Sequence, residues 1–138
     1  MKLNPNRNKN SRDRIAIRFS IEQQSIHAKY LGSYKLIMEK LAKYFSVQLS
    51  NRNYTSGKMN YVFSVSTENK LQKVVEYFNK FPLMSSKYLN YLDWEEVYNM
   101  ILKKEHLKTE GKEKIKLIKN RMNNKRTNYN WDHLNKFY

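Results

Sequence analysis

The sequence of 138 residues contains no cysteine, which excludes a disulfide framework and any zinc site built on thiolates. No run of apolar residues approaches the roughly 18 needed to span a bilayer, so an integral membrane role is excluded. There is no glycine-rich phosphate loop, and the three histidines lack metal-ligand spacing. The length favours one domain with a single core.

Acidic residues are also few, because 12 Asp and Glu stand against 27 Lys and Arg. The formal net charge of +15 attracts polyanions through counterion release. Nucleic acid is the commonest partner of this kind, and an anionic membrane surface is the competitor. Scarce Gly and Pro with abundant Asn, Lys, Tyr and Ile indicate A/T-rich codons, which suggests an organellar genome.

Residues 1–13 are polar and basic throughout, so no secretory signal is predicted at the start of the chain. The segment has no hydrophobic periodicity, and alone in solution it is expected to be disordered. We interpret it as a basic N-terminal arm. Its cations Arg7, Lys9 and Arg12 could become ordered against phosphates.

The stretch from Arg14 to Ile21 alternates apolar and polar residues and predicts a strand with two different faces. Ile15, Ile17, Phe19 and Ile21 would share one face, and Arg14, Ala16, Arg18 and Ser20 the other. A half-buried strand with solvated arginines would show the same pattern. The large positive charge favours a sheet whose outer face contacts nucleic acid.

Residues 47–66 predict a hairpin with the same two-faced pattern. Tyr61, Phe63 and Val65 would face the core, and Gly57 would supply the positive φ of the turn. The tip is rich in groups that can donate hydrogen bonds to bases or phosphates: Asn51, Arg52, Asn53 and Lys58. A hairpin that is merely solvated would look similar.

Four segments have helical spacing. The first is capped by Ser33. The second is capped by Thr67 and ends before Pro82. The last is capped by Thr109 and is followed by a basic and aromatic tail, residues 123–138. In the third, Asp93 and Glu96 form a capping-box pattern with Leu92 and Val97 as hydrophobic staple.

The order of elements predicts an α+β fold, with a small antiparallel β-sheet packed on helices and its other face free. Arg14, Arg18, Ser20, Asn60 and Ser64 would then lie on one outer surface. The predicted nucleic-acid-binding residues are basic or amide side chains, namely Arg7, Lys9, Arg12, Arg14, Arg18, Asn51, Arg52, Asn53, Lys58, Asn60, Lys119, Arg121, Lys125 and Arg126.

Several stretches resemble the C-terminal repeat of fungal mitochondrial LAGLIDADG homing endonucleases. The longest is VVEYFNKFPLMSSKYLNYLDW at 74–94, and shorter ones are RFSI at 18–21, KEHL at 104–107, TEG at 109–111, IKLIK at 115–119 and NWDHL at 130–134. The resemblance implies a half-domain at 14–122, with a saddle of antiparallel strands that lies in the DNA major groove. It also implies a motif helix whose last acidic residue holds a divalent metal.

The sequence lacks the defining element of that family, since no motif helix precedes Arg14. The first saddle strand is missing from the pattern as well. The family's metal carboxylate therefore carries over to no residue, and Asp93 and Glu96 are assigned to a helix cap. We expect no catalytic residue, no metal and no cofactor, and no cleavage of DNA by this chain alone.

Two functions remain open at this stage. The first is a non-catalytic protein that binds structured RNA, with other proteins of a ribonucleoprotein such as the mitochondrial ribosome as its partners. The alternative is a piece of a DNA-cleaving homing endonuclease or intron maturase whose catalytic motif lies on another chain. Both imply a mitochondrial location and no membrane partner.

Overall fold

The computed structural model describes residues 2–4, 14–27, 29 and 31–137, and for residues 2–4 it describes the backbone alone. The elements are β1 (Lys2–Asn4), β2 (Arg14–Ala16), β3 (Phe19–Gln24), α1 (Lys35–Tyr44), β4 (Ser50–Asn53), β5 (Met59–Val65), α2 (Glu68–Lys80), α3 (Lys87–Leu102) and α4 (Thr109–Asn120). Short 3-10 turns follow α3 and α4 and occupy the tail: Glu105–Leu107, Asn123–Lys125 and Asp132–Phe137. No helix in the described ranges is long and apolar enough to cross a membrane.

The chain divides into two compact units. One contains the described residues of Met1–Ile17 together with Val75–Tyr138, and the other is Arg18–Val74. The division falls within α2 and between β2 and β3. The α+β class predicted from the sequence is confirmed, because a small antiparallel sheet and helices make up the fold.

The predicted strand from Arg14 to Ile21 is in fact two strands in two different sheets. β2 pairs with β1 in a two-stranded sheet, with Leu3 opposite Ile15, whereas β3 pairs with β5. Ile17 and Arg18 belong to neither strand, and Ile17 is buried. The expectation that residues 1–13 lack regular structure is wrong for Lys2–Asn4, while residues 5–13 lie outside the described part of the chain.

The unit Arg18–Val74 contains a three-stranded antiparallel sheet in the order β3-β5-β4. Its core is formed where the apolar face of β5 meets α1, and Phe45, just after α1, lies with its ring centroid 6.0 Å from that of Phe63 and 5.7 Å from that of Phe19. The predicted hairpin is present, and Gly57 has the positive φ, +77°, that its turn requires. Asn51, Arg52 and Asn53, predicted at its tip, lie instead in the strand β4. The sheet therefore packs one face on a helix, as expected.

The other unit is built around α3, which has apolar residues on all sides. Tyr91, Trp94, Val97, Tyr98 and Met100 of this helix are buried. Ile115, Ile118 and Met122, predicted to point inward from the last helix, are buried as well. A helix that is apolar all round is typical of the centre of a packed unit.

The capping-box prediction at Asp93 and Glu96 is wrong, because α3 begins at Lys87 and runs through both residues. Asp93 lies in the middle of the helix and is only 7% exposed. Residues 87–92 contain no proline or glycine and can therefore continue the helix toward its N-terminus. Local capping signals were overridden here by the burial of the helix that contains them.

Of the three glycines, Gly111 is the one packed closely against other backbone. A Cβ added there would lie 2.0 Å from the carbonyl oxygen of Glu105, in the turn that precedes α4. We expect Gly111→Ala to lower the free energy of unfolding by about 1–3 kcal/mol, because the turn or helix must shift. Urea unfolding followed by circular dichroism would measure this. Gly32→Ala, where no atom lies within 4 Å, is the control, and equal stability of the two variants would contradict the prediction.

Candidate nucleic-acid interface

The outer face of the sheet β3-β5-β4 is polar on β3 and β4, and on β5 it carries Asn60 and Ser64 on either side of the buried Val62. In the register, Ser20 lies opposite Ser64 and Gln24 opposite Asn60, while Arg52 on β4 lies on the other side of Asn60. Ser20, Glu22 and Gln24 are exposed, whereas Phe63 and Val65 on the opposite face are buried. The prediction that Ser20, Asn60 and Ser64 share this surface is confirmed.

One carboxylate on this face, that of Glu22 on β3, accepts hydrogen bonds from the other two strands of the sheet and from the hairpin turn. Glu22 Oε2 accepts from Arg52 Nη1 at 2.5 Å. Glu22 Oε1 accepts from Tyr54 Oη at 2.5 Å and from Asn60 Nδ2 at 3.0 Å. We refer to Glu22, Arg52, Tyr54 and Asn60 as the Glu22 cluster.

The hydrogen bonds donated by Tyr54 and then Asn60, followed by the charge of Arg52, hold the pKa of Glu22 below its ordinary value. Because the pKa of Glu22 is lowered in the folded protein, the ionised form and its hydrogen bonds are fully present at pH values above the ordinary pKa of a glutamate. They are lost only as the pH falls through the lowered pKa of the folded protein. The Glu22 cluster is therefore charged and intact at neutral pH.

The other residues of the hairpin tip do not join this cluster. Asn51 and Asn53 are exposed, but they alternate with Arg52 and so point to the opposite side of the strand. Lys58 is exposed at the end of the turn, where its carbonyl accepts a hydrogen bond from the Tyr54 amide. Of the four tip residues predicted to bind nucleic acid, Arg52 alone lies on the outer face within β4.

The prediction that Arg14 and Ser20 lie on one strand is wrong, because β2 pairs with β1 in the other sheet. Arg14 is exposed on that two-stranded sheet. Arg18 is exposed just before β3, two residues from Ser20. Alternation along a sequence shows which residues share a face of one strand, but it cannot show which strands share a sheet. Arg7, Lys9 and Arg12 lie outside the described residues.

Two of the predicted C-terminal binding residues, Arg121 and Arg126, form ion pairs with carboxylates of α3. Arg126 forms an ion pair with Asp93, and its side chain is 12% exposed. Arg121 bonds Asp93 Oδ1 through Nε at 2.9 Å and Glu96 Oε2 through Nη2 at 3.0 Å. Lys125 is exposed and donates to Asn120 Oδ1 at 2.9 Å, and Lys119 is half-buried. Arg126 therefore faces inward, contrary to its predicted role.

The acidic residues of α3 likewise have defined partners. Lys114, which lies 2.8 Å from Glu96 Oε1, holds the pKa of Glu96 below its ordinary value, and Arg121 adds to this effect. Among the described residues no group of three His, Asp or Glu side chains could hold a metal ion. The divalent metal that the resemblance implies does not fit the carboxylates in this part of the chain, because Asp93 and Glu96 neutralise arginines.

Sequence reasoning missed Glu22, because the predicted strand ended at Ile21. The signal was available, since Glu22 continues the alternation of Arg18 and Ser20. Tyr54 was missed as well, and its hydroxyl donates a hydrogen bond to Glu22. Both roles depend on a pairing of residues at least thirty positions apart.

Comparisons of this sequence with a family model and with known proteins all point to intron-encoded endonucleases. The sequence model of the family described as LAGLIDADG endonuclease matches residues 2–98. A probable intron-encoded DNA endonuclease, aI1, from Mycosarcoma maydis is 40% identical over 95 residues, which cover 69% of this chain and 78% of that protein. Intron-encoded DNA endonuclease aI3 of Saccharomyces cerevisiae is 30% identical over 137 residues, which cover 90% of this chain and 33% of the yeast protein.

A solved structure shares the fold. The crystal structure of the meganuclease I-SmaMI bound to uncleaveable DNA superimposes with a TM-score of 0.63 and 26% sequence identity, over 79% of this chain and 34% of that one. The chain thus spans most of the M. maydis protein but only about a third of the yeast endonuclease and of I-SmaMI.

Proposed function

The chain belongs to the LAGLIDADG endonuclease family, and from that premise we propose that it binds double-stranded DNA as one half of an endonuclease. The observation that carries this proposal is the outer face of the sheet β3-β5-β4. A twisted antiparallel sheet with a polar, hydrogen-bonding face can enter the major groove, where the base edges differ most from one another. The net charge of +15 supplies attraction to the phosphates.

The polar face can orient the protein on the duplex through its hydrogen-bonding groups, but it adds little net positive charge. Glu22 and Arg52 neutralise each other, so the positive charge that attracts phosphates comes from residues such as Arg18 and Lys58. Phosphate contacts position a protein on the duplex, and contacts to base edges select the sequence. The surface of this unit offers both kinds of group.

We further propose that the carboxylates of the active site come from another chain. The carboxylates of Asp93 and Glu96 are paired with Arg121, Arg126 and Lys114. The yeast relative is about three times as long as the matched region, which leaves room for a second half in such proteins. We derive no catalytic step for this chain.

The comparisons do not support the RNA-binding hypothesis, because both relatives are named DNA endonucleases and the matching structure was solved with DNA. They give no support for ribosomal protein partners either. We propose a mitochondrial location from the A/T-rich codon usage together with the intron-encoded relatives.

Binding measured at several salt concentrations tests the proposal. The full chain should retain random-sequence double-stranded DNA on filters, with an affinity that falls about 10²–10³-fold between 50 and 200 mM salt. A fall of this size corresponds to about four to six phosphate contacts. Double-stranded RNA of the same length is the control and should bind more weakly.

A salt-independent affinity, or tighter binding to RNA than to DNA, would contradict the proposal. In the same preparations a supercoiled plasmid incubated with Mg²⁺ should stay intact. Metal-dependent cleavage by this chain alone would show that it supplies its own active-site carboxylates.

A further inference from the structure

The Glu22 cluster joins all three strands of the sheet through one carboxylate. Glu22 is on β3, Asn60 on β5 and Arg52 on β4, and the last two are direct neighbours in the register. The side chain of Arg52 is 53% exposed and that of Glu22 is 27% exposed. An arginine on the edge strand β4, near the hairpin turn, is thus held in place while about half of its side chain remains accessible.

The pairing of charges decides what such an arginine can recognise. Because Glu22 neutralises Arg52, the pair adds little to the attraction for phosphate, and a carboxylate beside it would repel a phosphate group. A guanidinium carries five N–H donors; Nη1 of Arg52 is engaged by Glu22, and the side chain also interacts with Tyr54, so only part of the set is engaged. The remaining donors suit an uncharged ligand with two neighbouring acceptors.

We propose that the Glu22 cluster recognises a guanine base in the DNA major groove, with Arg52 as the hydrogen-bond donor and Glu22 as the residue that positions it. Guanine is the base that presents two neighbouring acceptors, O6 and N7, in this groove, and arginine matches them with two parallel hydrogen bonds. This inference rests on the proposed binding of double-stranded DNA.

Glu22 itself is not expected to read a base. A glutamate can accept from the amino group of cytosine, but here both carboxylate oxygens already accept hydrogen bonds, one from Arg52 and the other from Tyr54 and Asn60. Its role is to restrict the side chain of Arg52 before DNA binds. Binding then costs less side-chain entropy, and the arginine meets the duplex in a single orientation.

Selection from a random double-stranded DNA library, with sequencing of the bound fraction, tests this inference in the full chain. Wild-type protein should show a preference for guanine at one position of the bound sequences. Arg52→Ala should lower the preference at that position by about 10- to 100-fold and leave the other positions unchanged. Glu22→Gln should lower it by about two- to tenfold, while its affinity for random-sequence DNA stays equal or rises.

Glu39→Gln is the matched control, because it removes the same charge from an exposed position on α1, and it should keep the guanine preference. Circular dichroism should show that all three variants are folded. An Arg52→Ala variant that loses affinity for all sequences equally would make Arg52 a phosphate contact and overturn the inference. So would a Glu22→Gln variant with unchanged preference. Failure of the wild type to bind any double-stranded DNA would overturn the proposed function itself.

Discussion

Replacing Asp93 with Asn is expected to lower the free energy of unfolding by about 3–5 kcal/mol, because it leaves the guanidinium of Arg126 without its counter-charge. Asp93 is 7% exposed, and the side chain of Arg126 is 12% exposed. Arg126 also donates from Nε to Asn90 Oδ1 at 3.0 Å and from Nη2 to the carbonyl of Leu89 at 3.2 Å. These polar contacts orient the guanidinium but carry no formal negative charge.

Urea unfolding followed by tryptophan fluorescence would measure the change, since Trp94 is buried next to Asp93 in α3. Glu113→Gln removes a charge from an exposed site on α4 and should change the stability by less than about 0.5 kcal/mol. The double variant Asp93→Asn with Arg126→Met should recover part of the loss, because no charge is then left buried. A loss below about 1 kcal/mol for Asp93→Asn would contradict the importance of this pair.

Phe45→Ala is expected to cost about 3–5 kcal/mol in the unit Arg18–Val74, because it leaves a cavity where α1 meets the sheet. Phe45 is 1% exposed, and its ring contacts those of Phe19 and Phe63. The same packing holds the sheet whose outer face carries the Glu22 cluster. The variant should therefore also weaken DNA binding at temperatures where this unit begins to unfold.

Thermal unfolding followed by far-ultraviolet circular dichroism would show the loss as a lower midpoint temperature. Leu36→Ala, on the exposed side of α1 with 65% of the residue accessible, is the control for shortening a large apolar side chain. It should be nearly neutral, since little surface is removed from the core. Equal effects of the two substitutions would mean that Phe45 does not anchor the sheet.

The error at α3 shows where local reasoning from a sequence reaches its limit. Asp93 and Glu96 match a capping box by type and spacing, yet they occupy the interior of a helix that begins at Lys87. Their partners Arg121 and Arg126 lie 25 to 33 residues further along the chain. A pattern of four residues contains no information about such partners, because the attraction depends on how α3 and the C-terminal segment pack.

The sequence by itself determined the features that arise from local geometry and composition. These are the buried stripes of the helices, the two-faced hairpin with Gly57 in its turn, the positive charge, and the resemblance that led to the family. Each follows from periods of 2.0 or 3.6 residues, from single-residue backbone preferences, or from motifs that can be recognised along the chain.

The tertiary structure alone decided which of these elements meet. It separated Arg14 from the sheet of Ser20 and turned Arg126 toward Asp93, and it placed Glu22 between Arg52, Tyr54 and Asn60. The physical reason is that strand pairing and ion pairing join residues far apart in sequence. The energy of such a contact depends on burial and distance in the folded chain, which no local pattern records.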